Sequence, residues 1–279
     1  MCIAFIKVAR SNLDRYKLIL LNNRDEQLFR PTLAMHWHDE ILSGVDEQDT
    51  ARGTWLGLKE NGRVGMMLSI TQPQESKDPK APSRGGIVNE FLNAENTEKM
   101  LENLKRRADK YNGFQLVGFE KNQCGLYDIR TLTNQQVDQI EIRQWDNEEY
   151  HVISNSPPLK PYKKAQRGLV LLRQKLEKSN EQTVEQIFES LLDIAKDSTR
   201  CYPDAQLQLQ TQNTDDYNHP LSSIFIKYPE GGRQYGTRCH TLLTIDQNEN
   251  VNILERRLHP ETSTWHDTRF EFVLTTESN

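Results

Sequence analysis

The chain has 279 residues, with 35 lysines and arginines against 40 aspartates and glutamates, so its formal net charge is −5. Proteins that bind nucleic acids carry a basic face, which an acidic chain with only short basic runs does not offer. No apolar stretch approaches the roughly 18 residues of a membrane-spanning helix. Charge at Lys7 interrupts the N-terminus too early for a secretory signal. We therefore expect a cytoplasmic protein without a nucleic-acid partner or a transmembrane segment.

The first part of the chain reads as strands followed by a helix. Residues 1–25 form a predicted β-hairpin, with apolar strands on either side of a polar connection centred near residue 13. Short strands punctuated by glycine fill 35–70, and the proline-rich stretch 71–84 is a predicted loop. Apolar residues at helical spacing predict a helix over 97–111. This order of elements indicates a mixed fold.

The second part continues with a helical pair and closing strands. The stripe from Ala165 to Leu176 predicts one helix, and Thr183 with Gln186 forms a capping box that begins the next. The polar, glutamine-rich segment 202–221 is a predicted surface loop or lid. No break in composition marks a linker, so we expect a single domain over 1–279. Further strands are expected near 114–119, 124–130, 150–153, 223–228, 236–246, 250–256 and 268–274.

The N-terminus carries the strongest chemical signal. Cys2 follows the initiator methionine, whose removal would place a thiol and an α-amine on one residue. The reference pKa is about 7.7–8.0 for the amine and about 8.5 for the thiol, so the amine can take the thiol proton near neutral pH. The other three cysteines have neither the C-x-x-C spacing nor the pattern of a zinc site.

The hairpin brings a second group to this thiol. With a turn near residue 13, paired positions sum to about 26, which places Arg24 opposite Cys2. A guanidinium there favours the thiolate, and the carboxylate of Asp25 can hold the α-amine. The charge pattern equally fits an ion pair that only orders the end of the strand.

Other residues give weaker signals. Trp55 lies in a Gly-Thr-Trp-Leu-Gly segment, typical of a tight turn with a packed tryptophan or of a pocket wall. Arg84 precedes two glycines and a helix, whose N-terminus can bind an anion. His36 and His38 share a strand face, but without further ligands we expect exposed histidines and no metal site. Arg238 begins an apolar strand.

Four segments together resemble the NRDE family, and within it the animal transport and Golgi organisation branch. They are Met1-Cys2-Ile3, Asn22-Asn23-Arg24-Asp25-Glu26, Gly53-Thr54-Trp55-Leu56-Gly57 and Tyr235-Gly236-Thr237-Arg238. With further matching segments, the resemblance runs from residue 2 to about residue 273. This family is similar to the N-terminal nucleophile (Ntn) hydrolases of the choloylglycine hydrolase type. The resemblance implies an α+β fold, a four-layer αββα sandwich.

The resemblance also implies roles for individual residues. In those hydrolases an N-terminal cysteine attacks an amide, and an asparagine helps to hold the oxyanion. Asn155, in the segment Ser154-Asn155-Ser156-Pro157, matches that asparagine. Asp25 matches the aspartate near the α-amine, and Arg238 matches a late arginine near the thiol. The implied catalytic set is Cys2, Arg24, Asp25, Asn155 and Arg238, with Trp55 and Arg84 as ligand-binding residues.

The chain departs from the hydrolase pattern at two places. Asn22 stands where the hydrolases carry an arginine, three residues before the aspartate. Only Ser69 or Thr71 is present where they have a second oxyanion asparagine. Losing one oxyanion donor costs about 10²–10³ in rate elsewhere, so the fold is expected to survive these changes better than amidase activity.

Two functions follow from these observations. The first is an N-terminal cysteine hydrolase or acyltransferase acting on an amide or thioester. The alternative is non-catalytic binding and trafficking of a lipid, acyl-CoA or haem, with haem as cargo and no resident cofactor. The family resemblance links the chain to Golgi organisation, protein secretion, lipid homeostasis and haem trafficking, and to Golgi and mitochondrial association. Peripheral membrane contact and the oligomeric state stay open, as does a purely structural role with segment 202–221 as a docking loop.

Overall fold

A computed structural model describes residues 1–145, 148–227 and 234–275. Contacts within the chain divide it into two compact units. The first unit comprises Met1–Phe29 and Asn147–Val273, and the second comprises Arg30–Asp146 and Leu274–Asn279. The single domain expected over 1–279 stays a prediction.

The strands, in chain order, are β1 Ile3–Val8, β2 Tyr16–Gln27, β3 Thr32–His38, β4 Ile41–Asp46, β5 Leu56–Lys59, β6 Val64–Ser69, β7 Phe114–Lys121, β8 Tyr127–Thr133, β9 Ile142–Gln144, β10 Tyr150–Ser154, β11 Tyr235–Asp246, β12 Asn250–His259 and β13 Thr264–Val273. The α-helices are α1 Ile87–Leu92, α2 Thr97–Arg107, α3 Lys163–Leu176, α4 Val184–Ala195, α5 Ala205–Thr211 and α6 Asp215–Leu221. Short 3₁₀ turns cover Gln74–Ser76 and Ala108–Lys110.

The first unit is built on an antiparallel sheet in the order β10-β1-β2-β11-β12-β13. Helices α3 and α4 pack against it, and the core between them includes Phe5, Leu21, Leu242 and Leu191. The hairpin register is the one predicted, because Ile3 pairs with Asn23 and the paired positions sum to 26.

The second unit is an antiparallel sheet of strands β3 to β9 in sequence order, with helices α1 and α2 packed on it. A side chain at Gly118 would place its Cβ 2.2 Å from the ring of Phe91, so this strand position requires glycine for the helix to approach. The α+β class is confirmed, since the chain forms two antiparallel sheets with helices packed on each. Each unit supplies one helical layer and one sheet.

Several predicted helices are confirmed. Helix α2 begins after Asn96, whose side chain accepts the N–H of Lys99, and the helical stretch continues to Lys110 as a 3₁₀ turn. The capping box of α4 is present in both directions, between Thr183 and Gln186. None of the helices in the described part of the chain is both long and apolar enough to cross a bilayer.

The loop predicted over 202–221 is wrong, because that segment contains α5 and α6. Asp204 caps α5 by accepting the N–H of Leu207. Some of its polar side chains are buried and hydrogen-bonded: Thr211 donates to Asn218 at 2.7 Å, and Gln210 donates to the carbonyl of Asn155. Buried polar groups with partners are compatible with a packed helix.

The strand predicted over 223–228 is also wrong for the residues that are described. Residues 223–227 form only an isolated bridge between Lys227 and Gly236, and residue 228 lies outside the described residues. The hydroxyl of Ser223 donates to the carbonyl of Phe225 at 2.7 Å, which bends the segment locally. Ile224 and Ile226 are both buried, which explains the strand-like apolar pattern.

Candidate functional site

The thiol of Cys2 lies against the backbone of Asp25. The Asp25 N–H donates to Sγ at 3.4 Å, and the thiol donates to the Asp25 carbonyl at 3.6 Å. This contact follows from the hairpin register, which places the position before Ile3 opposite Arg24 and beside Asp25. Burial raises the pKa of the Cys2 thiol above its ordinary value, against the opposing effects of the terminal ammonium and of Arg24. The thiol in this chain is therefore held in its protonated form.

The terminal amine belongs to Met1 and is buried. It donates to the hydroxyl of Tyr235 and lies 3.9 Å from Oδ2 of Asp25. Burial lowers the pKa of this amine, and the carboxylate of Asp25 only partly offsets the effect. The Met1 amine is thus a weaker base than an exposed terminal amine. It lies next to Asp25, the residue that bonds the Cys2 thiol.

Asp25 is the centre of this cluster. Its Oδ1 accepts the hydroxyl of Thr237 at 2.6 Å, and its carbonyl accepts the hydroxyl of Tyr235 at 3.3 Å. Burial raises the pKa of Asp25, while the terminal ammonium and Lys164 act in the opposite direction. One residue thus contacts the thiol through its backbone and the amine through its side chain.

Lys164 completes the cluster and was missed by the sequence analysis. Only 1% of this lysine is exposed, and its ammonium donates to the carbonyl of Met1 at 3.2 Å and to that of Ser223 at 3.1 Å. Burial lowers the pKa of Lys164. A signal was present in the sequence, because Lys164 shares the four-residue spacing of the buried positions Gly168, Leu172 and Leu176 on α3.

Arg24 and Arg238, the two predicted site arginines, lie close together at a β-bulge in β11. The pairing of β2 with β11 shifts between Thr237 and Cys239, and Cys239 pairs with Arg24, so Arg238 is the extra residue. Its guanidinium donates to the carbonyl of Gln27 at 2.9 Å. Burial together with the charges of Arg24 and Arg257 lowers the pKa of Arg238 to about 10. The bulge therefore concentrates positive charge near the strand position of the thiol.

Asn155 lies at the same end of the sheet. The pairing of Ser154 with Ile3 brings it beside the start of β1. Its carbonyl accepts the hydroxyl of Tyr162 at 3.3 Å and the amide of Gln210 at 3.1 Å, so helix α5 holds this segment in place. The structure thus brings Cys2, Arg24, Asp25, Asn155 and Arg238 into one end of the first unit.

Trp55 and Arg84 lie in the second unit. The ring of Trp55 packs against Gly44, where a Cβ would come within 2.7 Å of it. Arg84 donates to the carbonyl of Gly113 at 2.7 Å, just before α1 begins at Ile87. Their assignment to ligand binding stays a prediction.

The paired histidines of β3 have local partners. The rings of His36 and His38 lie 5.0 Å apart. Nδ1 of His36 is 2.9 Å from the carbonyl of Ala34, and Nε2 of His38 is 2.8 Å from the hydroxyl of Ser43. These contacts account for the positions of both rings within the second unit.

The sequence profile of the family described as "Transport and Golgi organisation 2" matches residues 1–260. The chain belongs to this family. It is 30% identical to the Transport and Golgi organization 2 homolog of Mus musculus, over 98% of this chain and 99% of that protein. It is 29% identical to the human homologue over 98% and 99%, and 27% identical to the Drosophila melanogaster protein over 97% and 98%.

A search of solved structures finds the C2A mutant of a conjugated bile acid hydrolase from Clostridium perfringens. Its identity to this chain is 10%, its coverage is 99% of each chain, and its TM-score is 0.47.

Proposed function

We propose that this Transport and Golgi organisation 2 family member is an N-terminal cysteine hydrolase or acyltransferase, active once Met1 has been removed. The observation that carries the proposal is the double contact of Asp25, which bonds the Cys2 thiol through its backbone N–H and approaches the Met1 amine with its carboxylate. We expect the same carboxylate to hold the α-amine of Cys2 once Met1 is removed. A nucleophile and its base need this kind of shared anchor, because both must keep a fixed geometry during proton transfer.

The proposed reaction begins with proton transfer from the Cys2 thiol to its own α-amine. The thiolate attacks the carbonyl carbon of an amide or thioester, and Asn155 stabilises the oxyanion. Collapse expels the amine or thiol of the substrate, which takes the proton back from the Cys2 ammonium. Water or another acceptor then cleaves the acyl-Cys2 thioester and releases the acid or the transferred product.

Met1 controls this chemistry in the proposal. While Met1 is attached, the nitrogen of Cys2 is an amide and cannot act as a base. Burial also raises the pKa of the thiol in that form. Loss of Met1 creates a free amine on Cys2 and removes the residue that fills the space next to it.

The test uses two purified proteins released from cleavable fusions, one beginning at Cys2 and one retaining Met1. Each is mixed with p-nitrophenyl hexanoate, and the reaction is followed by p-nitrophenolate release and by peptide mass. We expect a burst of one equivalent and an acyl adduct on Cys2 in the shorter protein. The adduct should be absent from its Cys2→Ala variant, and an equal burst from that variant would overturn the proposal.

A second candidate is non-catalytic binding of a lipid, acyl-CoA or haem. It is favoured for a chain that keeps Met1, since burial keeps the thiol of that form protonated. The Golgi organisation in the relatives' names is compatible with either candidate. We propose a cytoplasmic protein with Golgi association. Haem titration followed at the Soret band, and lipid extraction from purified protein, test this candidate; no band shift and no retained lipid would eliminate it.

A further inference from the structure

Met1 is seated in a defined subsite of the first unit. The residue is 8% exposed, and its side chain packs with buried Tyr162, Leu207, Leu221 and Ile226. The carbonyl of the same residue accepts the ammonium of Lys164. The subsite therefore recognises two parts of one residue, an unbranched apolar chain and a carbonyl oxygen next to it.

The contact with Lys164 is unusual because the lysine is buried. An ammonium has three N–H donors, and two of them are directed at the carbonyls of Met1 and Ser223. Departure of Met1 leaves one of these donors without its acceptor. A buried donor that loses its partner is costly, so the empty subsite favours any ligand that restores a carbonyl oxygen there.

Asp25 and Asp204 are the carboxylates that act on Lys164. Asp25 faces the terminal amine and accepts the hydroxyl of Thr237. Asp204 accepts the backbone N–H groups of Lys163 and Leu207 at 2.7 and 3.1 Å. The hydrogen bonds of Lys164 itself go to the two carbonyls, and we expect Asp25 to pair with the new α-amine of Cys2 once the Met1 amine has left.

We propose that the subsite vacated by Met1 binds an unbranched aliphatic acyl group about as long as a hexanoyl chain, with its carbonyl oxygen on Lys164. A hexanoyl chain has the length of a methionyl residue from carbonyl carbon to terminal methyl. The carbonyl carbon of Met1 is bonded to the nitrogen of Cys2, so an acyl group bound in this subsite lies next to the nucleophilic residue. The inference rests on the proposed function for the removal of Met1, and it names the acyl group that the site accepts.

The test measures binding by thermal shift and calorimetry, with the neutral probe hexanamide. The protein beginning at Cys2, in its Cys2→Ala form, is compared with the protein that retains Met1. Acetamide has the same amide group without the aliphatic chain. Hexylamine has the six-carbon chain with an amino group in place of the amide, and so has no carbonyl. We expect hexanamide to raise the Tm of the shorter protein and to leave the longer one unchanged, with both control ligands ineffective.

Lys164→Gln should weaken hexanamide binding about tenfold, the size of effect expected for a hydrogen bond from a charged donor. Lys163→Gln is the matched control, because Lys163 is exposed and adjacent. If Lys164→Gln does not fold, the comparison of the two chain lengths still decides the inference. Equal binding with Met1 present, equal binding of hexylamine, or no binding by the shorter protein would overturn it.

These outcomes are separable from those of the proposed function. Hexanamide binding uses a protein without the thiol, so it does not depend on Cys2 chemistry. A burst on Cys2 without hexanamide binding would retain the hydrolase and reject this acyl subsite. Hexanamide binding without a burst would retain the subsite and reject the nucleophile.

Discussion

Asp25 donates its backbone N–H to the sulfur of Cys2 at 3.4 Å while its carboxylate faces the terminal amine. The two contacts come from different parts of one residue, so they can be separated by mutation. Substitution of the side chain leaves the backbone contact to the thiol intact and removes only the charge opposite the amine.

Asp25→Asn in the protein beginning at Cys2 is therefore expected to slow acylation by p-nitrophenyl hexanoate. Asp25 raises the pKa of the Met1 amine, and we expect the same carboxylate to act on the α-amine of Cys2 once Met1 is removed, so its loss weakens the base. General acid–base contributions of about 10²–10⁴ set the expected loss in rate. Glu26→Gln is the neighbouring control and should retain the rate; an unchanged rate in Asp25→Asn would contradict this role.

Asn155→Ala separates oxyanion stabilisation from positioning of the thiol. Acylation forms a tetrahedral oxyanion, whereas alkylation by iodoacetamide does not. We expect acylation to fall about 10²–10³-fold, as for loss of one oxyanion donor, with alkylation of Cys2 unchanged. A parallel fall in both rates would assign Asn155 to the architecture of the segment instead.

Leu207→Ala should destabilise the protein that retains Met1. Leu207 is 1% exposed and packs around Met1, so its truncation leaves a cavity. The expected loss in free energy of unfolding is about 2–5 kcal/mol. Leu209→Ala, on the same helix but 63% exposed, is expected to change it by less than about 0.5 kcal/mol. Urea denaturation of the two variants compares them directly, and equal losses would argue against the packed subsite.

His240 makes stability depend on pH. Burial lowers the pKa of His240 to about 3, and its Nδ1 bonds the Asn23 side chain at 2.7 Å. The unfolded chain binds the proton near its ordinary pKa of about 6.5, so stability is full above that pH and falls as the pH drops towards 3. The slope is about 1.4 kcal/mol per pH unit in that window. His240→Gln should flatten this part of the profile, whereas exposed His266→Gln should not; identical profiles would contradict the burial argument.

The sequence predicted the parts of the site that depend on local pairing. The hairpin sum placed Arg24 opposite Cys2, and the register of Ile3 with Asn23 confirms it. It missed Lys164, although this lysine shares the spacing of the buried positions of α3, because a lysine on an amphipathic helix looks solvated until the carbonyl it contacts is known. That contact joins residues far apart in the chain, which periodicity does not encode.

The same limit explains the error over 202–221. Its glutamines and asparagines resemble surface residues, yet Gln210 is buried because the carbonyl of Asn155 gives it a partner. The propensity of polar residues for loops is overridden when tertiary contacts satisfy their hydrogen bonds. The bulge that adds Arg238 beside Arg24 was likewise invisible, since the residue count of one strand depends on its partner.

In the proposed function, loss of Met1 turns Cys2 into a reactive nucleophile. The direct measurement is the rate of iodoacetamide labelling at pH 7.5, followed by intact mass and site mapping, for the protein beginning at Cys2 and the protein retaining Met1. Exposed Cys124 is the internal reference. We expect fast labelling of Cys2 alone in the shorter protein, and in the longer protein labelling of Cys2 that is slower than that of Cys124. Labelling of Cys2 that is no faster than that of Cys124 in the shorter protein would contradict it.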